Sequence, residues 1–146
     1  MDINYVNIDR VWALEEEKQI TDIHQKIFQT KECLSEKIKK KPSLVTNLAI
    51  HNDRIVGYKI GYELDCETFY SWLGGVDPHF RKQGIATKLM EEQHAYARKL
   101  GYRKVQTKTM NRWRSMLLLN IKSGFDVIQT IIDENGIHKI VLEKEL

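Results

Sequence analysis

The stretch from Phe69 to Thr109 constrains the fold more than any other part of the chain. Phe69 to Val76 is aromatic and apolar enough for a buried strand, and Gly74 and Gly75 near its end point to a bulge or a close backbone approach. From Ala86 the character changes. Ala86, Leu89, Met90, Ala97 and Leu100 fall on one face of a helix, Lys88, Glu91, Glu92, Arg98 and Lys99 lie elsewhere, and Gly101 offers a C-terminal cap. Lys104 to Thr109 is again a strand. Strand, helix and strand in this order predict a right-handed crossover that sets two strands parallel in one sheet.

The flanks add antiparallel strands. Leu44 to His51 and Arg54 to Leu64 are β-rich runs separated by Asn52 and Asp53, whose side chains suit a tight turn. Val127 to Ile132 and Ile137 to Leu142 flank Asp133 to Gly136, and Asn135 followed by Gly136 is a strong hairpin signal. Arg112 to Ser123 reads as a helix ended by Gly124. Ahead of these, Ile3 to Ile8 reads as a strand, Val11 to Phe28 as a helix, and Glu32 to Lys40 as a second helix stopped before Pro42. At 146 residues the chain has the length of one α+β domain with a mixed sheet.

Composition narrows the function classes. Hydrophobic residues make up 42% and charged residues 29%, which fits a folded globular protein. No apolar run reaches the roughly 18 residues that a membrane span needs, and the N-terminus lacks a signal-peptide pattern, so a cytoplasmic protein is expected. Cys33 and Cys66 stand apart, without the spacing of a zinc site or a redox motif. A net charge of +3, with a local basic run from Lys37 to Lys41, leaves nucleic-acid binding little beyond generic electrostatics.

The turn between the Phe69–Val76 strand and the following helix carries the chemistry. The first N–H groups of a helix lack internal partners and its dipole is positive there, so such a turn binds anions. Gly84 leaves no side chain in the way, Ala86 keeps the contact face small, and Arg81, Lys82 and Lys88 add positive charge. The spacing is neither that of the dinucleotide fingerprint nor that of the P-loop.

The run from Val76 through Asp77, Pro78, His79, Phe80, Arg81, Lys82, Gln83, Gly84, Ile85 and Ala86, followed by Leu89 and Met90, resembles the acyl-CoA signature of the GNAT superfamily of N-acyltransferases. Asn120 to Phe125 is similar to that family's later helix with its terminal Gly-Phe. Motifs and element order cover the chain from Leu44 onward, and the N-terminal part matches by element order. The resemblance implies a mostly antiparallel sheet of about six to seven strands, helices on both faces, and a splayed parallel pair forming a CoA cleft. It implies that Gln83, Gly84, Ile85, Ala86 and Thr87, with Arg81 and Lys82, hold the pyrophosphate of acetyl-CoA. The Val76 backbone would pair with pantetheine by strand addition, and Val105 to Thr109 would form the other wall.

Acetyl transfer to an amine needs a base or a water relay to remove a proton, because an alkylammonium titrates near ~10.4. Glu63, Asp65, Glu67 and His79 are candidates by proximity to the expected cleft, Glu63 first among them, against its alternative as a solvated strand-end carboxylate. Where the family often carries a Tyr as acid for the departing thiol, this chain has Asn120, which either contacts the thiol or pantetheine or bonds to backbone. Asn111 is a helix cap or faces the acyl chain. Arg112, Trp113 and Arg114 recognise an acidic acceptor or CoA, or are solvated. Tyr58, Tyr62, Tyr70 and Trp72 line an acceptor pocket or pack across strands. Two functions follow: an N-acetyltransferase acting on a small-molecule or peptide amine, or a non-catalytic acyl-CoA sensor of the same fold. Neither requires a metal, and the sequence leaves the oligomeric state open, a homodimer through the exposed sheet or the C-terminal strands being compatible with it.

Overall fold

In the computed structural model, which describes residues 2–146, the chain forms one seven-stranded sheet. The elements run β1 (Asn4–Ile8), α1 (Leu14–Phe28), α2 (Leu34–Ile38), β2 (Val45–His51), β3 (Arg54–Glu63), β4 (Thr68–Val76), α3 (Ile85–Lys99), β5 (Lys104–Thr109), α4 (Arg114–Lys122), β6 (Asp126–Ile132) and β7 (His138–Glu145). The strand order is β1-β2-β3-β4-β5-β7-β6, and β4 with β5 is the parallel pair. This is the α+β architecture that the β4-α3-β5 pattern predicts.

Asn52 and Asp53 both take left-handed backbone, at φ 50° and 63°, which is the geometry a two-residue hairpin needs to match strand twist. Around it, β2 and β3 pair from Val45↔Gly61 to His51↔Arg54. On one face α1 and α2 cover Tyr58 and Ile60 with Ile20, Ile23 and Leu34. On the other, α3 sets Ile85 and Leu89 against Ala49 and Val56, and Met90 and Ala97 join Phe69, Val105 and Leu142 beneath α4. The helices therefore lie on both faces.

Several boundaries differ from the sequence reading. Val11 is 91% exposed and lies outside α1, and Leu14 at the helix start is also exposed, so the buried stripe of α1 begins only at Ile20. α2 keeps only Leu34–Ile38, and α4 starts at Arg114 after a turn. The bulge predicted at Gly74 and Gly75 sits earlier. Ile60 pairs with Leu73 and Gly61 with Ser71, so Trp72 is the extra residue. Gly61, Gly74 and Gly75 are instead places of close approach, since a Cβ on Gly61 would lie 2.2 Å from Phe69 Cε2 and one on Gly75 2.4 Å from Ile27 Cδ1.

One consequence of this topology positions the site. β4 and β5 pair only from Thr68↔Lys104 to Ser71↔Thr107, where the Thr107 hydroxyl donates to the Ser71 carbonyl at 2.8 Å. Past that clasp the strands part. Leu73 to Val76 therefore pair with β3 alone, Trp72 is the bulged residue before them, and the other main-chain edge of this stretch faces a gap.

Candidate active site

The gap opens into a cavity of about 760 Å³ that passes through the sheet. On the α3 face it is lined by Lys59, Ser71, Ile85, Leu89, Thr107 and Asn120, and on the α1 face by Ile27, Tyr58, Tyr70 and Trp72. Of the residues the sequence singles out for the cofactor, Val76, Arg81, Lys82, Gly84, Ile85, Ala86, Thr87 and Asn120 all lie on its wall, and Gln83 does not. Glu63 is elsewhere: it sits where β3 ends, pairs with Phe69 on the closed side of the clasp, and accepts a hydrogen bond from Tyr102 at 2.9 Å. Asp65, Glu67 and His79 are also absent from the wall.

Local chemistry builds the anion-facing end. Asp77, itself buried, accepts from the His79 N–H at 2.9 Å and so caps a 3-10 turn at Pro78–Phe80. The chain then passes through left-handed backbone at Lys82 and at Gly84, the latter with φ 78°. Helical bonding in α3 begins with Lys88 N–H to Gly84 C=O at 3.0 Å, so the amides of Ile85, Ala86 and Thr87 have no helical acceptor. No side chain caps them and no acidic residue occupies the first turn. A Cβ on Gly84 would meet nothing within 4 Å. Open space, free amides, a positive dipole end and the adjacent Arg81 and Lys82 together fit a phosphate group.

The wall is electrostatically one-sided. Lys59, Arg81, Lys82, Lys108, Arg112, Arg114 and Lys139 line the cavity, and among the described residues no aspartate or glutamate does. Lys59 is buried, and desolvation pulls its ammonium down to about 8. At the mouth, Phe28 at the end of α1 meets the edge of Trp113 before α4, at 5.5 Å between ring centres, and Arg112 stacks on Trp113 at 4.6 Å.

On the α1 face a polar string runs from the cavity outward, and sequence reasoning missed it. His24 Nδ1 lies 2.8 Å from Tyr58 Oη, and His24 Nε2 lies 2.8 Å from Glu32 Oε1. Glu32 also pairs with Lys37 at 2.5 Å. Lys37 and His24 hold the Glu32 carboxyl below the usual carboxylate range, and burial pushes the Tyr58 phenol well above its ordinary value. The only sequence signal was a histidine on the buried stripe of α1, alongside Ile20 and Ile23.

Behind the cavity, His94 on α3 is 5% exposed and packs against Phe125, with its Nδ1 3.3 Å from Lys144 Nζ. Burial first, and then Lys144, Lys59 and Arg98, hold its imidazole down to about 3. His94 is therefore neutral in the folded protein at pH 7, whereas in the unfolded chain it gains a proton near ~6.5. The resulting stability is fully present above that value and is lost as pH falls from ~6.5 toward about 3. By pH 5 the loss amounts to ~2 kcal/mol, at ~1.36 kcal/mol per pH unit. Urea unfolding at pH 7.5 and pH 5 should show this difference for the natural chain and a much smaller one for His94→Asn; equal pH slopes would rule out the buried neutral imidazole.

Comparison with known proteins agrees with this geometry. The sequence profile of the Acetyltransferase (GNAT) family matches residues 8–114, whereas no curated protein matches the chain. Among solved structures, a GNAT family acetyltransferase from Elizabethkingia anophelis with acetyl-CoA bound superposes with a TM-score of 0.77 at 22% identity, over 99% of this chain and 98% of that one. The ribosomal-protein-S18-alanine N-acetyltransferase from Escherichia coli gives 0.80 at 12% identity, over 97% and 94%. A chain of the NatC complex bound to Gag peptide and CoA gives 0.84 at 18% identity, over 100% and 99%. With the profile spanning most of its length and the splayed β4–β5 cleft in place, the chain belongs to the GNAT family of acetyltransferases.

Proposed function

We propose that this protein transfers the acetyl group of acetyl-CoA directly to the amine of an acceptor. The observation that carries the reading is the cavity at the β4–β5 splay, with the uncapped amides of Ile85, Ala86 and Thr87 at one end and a hydrogen-bonded Tyr58-His24-Glu32 string at the other. The α3 amides with Arg81 and Lys82 hold the pyrophosphate, and the free main-chain edge of Trp72 to Val76 pairs with pantetheine. The Elizabethkingia relative, solved with acetyl-CoA bound, supports the choice of cosubstrate. When bound, acetyl-CoA supplies an activated thioester carbonyl.

The residues of this chain have two tasks. The first is to take a proton from the ammonium of the acceptor. Because Glu32 is ionised and can only accept, His24 donates to it through Nε2–H, which leaves Nδ1 to accept from the Tyr58 hydroxyl. A proton reaching Tyr58 Oη passes on to His24, and the resulting imidazolium faces the Glu32 carboxylate. Tyr58 remains a neutral relay, since burial disfavours its phenolate. The second task is to stabilise the departing thiolate. Asn120, 3% exposed on the cavity wall, offers an amide hydrogen bond, and the buried Lys59 ammonium on the same face supplies charge; as the C–N bond forms and the C–S bond breaks, the proton still carried by the attacking nitrogen goes to the sulfur.

Thiol release from acetyl-CoA with a diverse panel of amines, run beside thermal shift by CoA, tests the reading. Acceptor-dependent thiol release is the expected result. A CoA shift without release under any amine would make the protein a sensor, and no shift at millimolar CoA would refute cofactor binding altogether. Asn120→Ala with unaltered turnover and acetyl-CoA KM would remove Asn120 from the reaction.

A further inference from the structure

The α1 face of the cavity holds cations that the cofactor end does not explain. In the parallel register Tyr70 stands beside Gln106, so Gln106 and Lys108 project to the same face as Tyr70 and Trp72, opposite to Val105 and Thr107. Lys108 in turn pairs with Val141, which sets Lys139 on that face as its diagonal neighbour across β5 and β7, roughly 7–8 Å away at the backbone. Both line the cavity, as does Arg112 at the mouth. Among the described residues no carboxylate lies within ion-pair distance of Lys108, Arg112 or Arg114, and Lys139 has only a loose contact with Asp133 at 3.6 Å. The uncapped α3 amides, Arg81 and Lys82 lie at the other end, at the start of α3.

We propose that Lys108 and Lys139, with Arg112 at the mouth, form a subsite for an acid group on the acceptor, so that the substrate is a small amine carrying a carboxylate or a phosphate. The inference rests on the acetyl-transfer reading above. Charge excludes the opposite class. A diamine would bring a second ammonium to a wall with several cations and no carboxylate, and the aromatic slot that could hold it is filled: Lys41 Nζ sits 4.7 Å from the Tyr62 ring centre and 4.9 Å from that of Trp72. Size favours a small acceptor over a chain crossing the face. The mouth is bridged by Phe28 and Trp113, and the cavity of about 760 Å³ must also take the acetylated end of the cosubstrate. An acid held at β5 and β7 would leave the amine of the same molecule directed toward the splay that opens past the Ser71–Thr107 clasp, where Tyr58 lies on the same face.

The test uses ω-amino acids of graded chain length, their carboxamides, the matching aminoalkyl phosphonates, the matching diamines and an acidic N-terminal peptide, with saturating acetyl-CoA. The acid-bearing small amines should exceed the carboxamides at least ~10-fold in kcat/KM, or ~1.4 kcal/mol. In the Lys108→Gln, Lys139→Gln double variant that preference should fall below ~3-fold while the CoA thermal shift persists. Carboxylate against phosphonate identifies the acid. Preference for carboxamides or diamines overturns the proposal, as does a peptide that outperforms every small acid. If no amine releases thiol, the failure belongs to the transferase reading, and calorimetry on CoA-saturated protein decides the subsite. Acid binding that the double variant loses upholds it, and acids that bind no better than carboxamides refute it.

Discussion

Replacing Gly84 with aspartate should abolish CoA binding and leave the fold standing. Gly84 has φ 78° and precedes three amides without helical acceptors. Aspartate tolerates left-handed backbone better than most residues, at a cost of ~1–2 kcal/mol. No atom lies within 4 Å of the new Cβ, so there is no clash to add. Its carboxylate would also find the free N–H groups of the first turn and the positive end of the α3 dipole, recovering part of that cost as a cap. The same carboxylate would then occupy the place of a phosphate and repel what remains of it. The expected result is a CoA Kd at least ~100-fold weaker, or ~2.8 kcal/mol, by calorimetry. Apo stability in urea should shift by no more than ~1–2 kcal/mol. A Kd within ~3-fold of the natural value would show that the phosphate is not held at this turn.

The contrast between that site and the rest of the cavity explains what was legible in the sequence. The anion-binding turn is local: a strand end, a glycine and the first residues of an amphipathic helix are contiguous, so the sequence displays them together. The parallel β4–β5 pair was legible for the same reason, since crossover handedness follows from element order. The proton path was not. His24 and Tyr58 are 34 positions apart, and they meet only because α1 packs its buried stripe on β3. Glu63 drew attention because it ends a strand near the expected cleft. The side of the clasp on which it lies depends on where the strands part, a three-dimensional fact set by the bulge at Trp72 and by Thr107 holding Ser71. The cationic acceptor face was hidden likewise, because Lys108 and Lys139 become neighbours only through the β5–β7 register.

Tyr58→Phe is the substitution that should separate turnover from binding. It removes one oxygen from a ring that is wholly buried, so the packing of Ile20, Ile23 and Ile60 around it is kept. His24 loses its partner on Nδ1, and leaving a buried acceptor unpaired costs ~1–3 kcal/mol of stability. The protein should therefore melt earlier but still fold. If the phenol relays the proton of the acceptor, kcat should drop ~100-fold, within the range general-base contributions span, with the acetyl-CoA KM unchanged. A merely structural hydroxyl would lower the melting temperature and leave kcat at the natural value below it. Glu32→Gln supplies the second arm. It keeps an oxygen acceptor for His24 but removes the charge that an imidazolium would face, so it should also lower kcat, by ~10-fold, without the stability cost of an empty Nδ1. Because Lys37 and His24 hold the Glu32 carboxyl below its usual range, that charge is present throughout neutral pH in the natural chain. At pH 8 a Glu32→Gln kcat equal to that of the natural enzyme would place the proton path elsewhere.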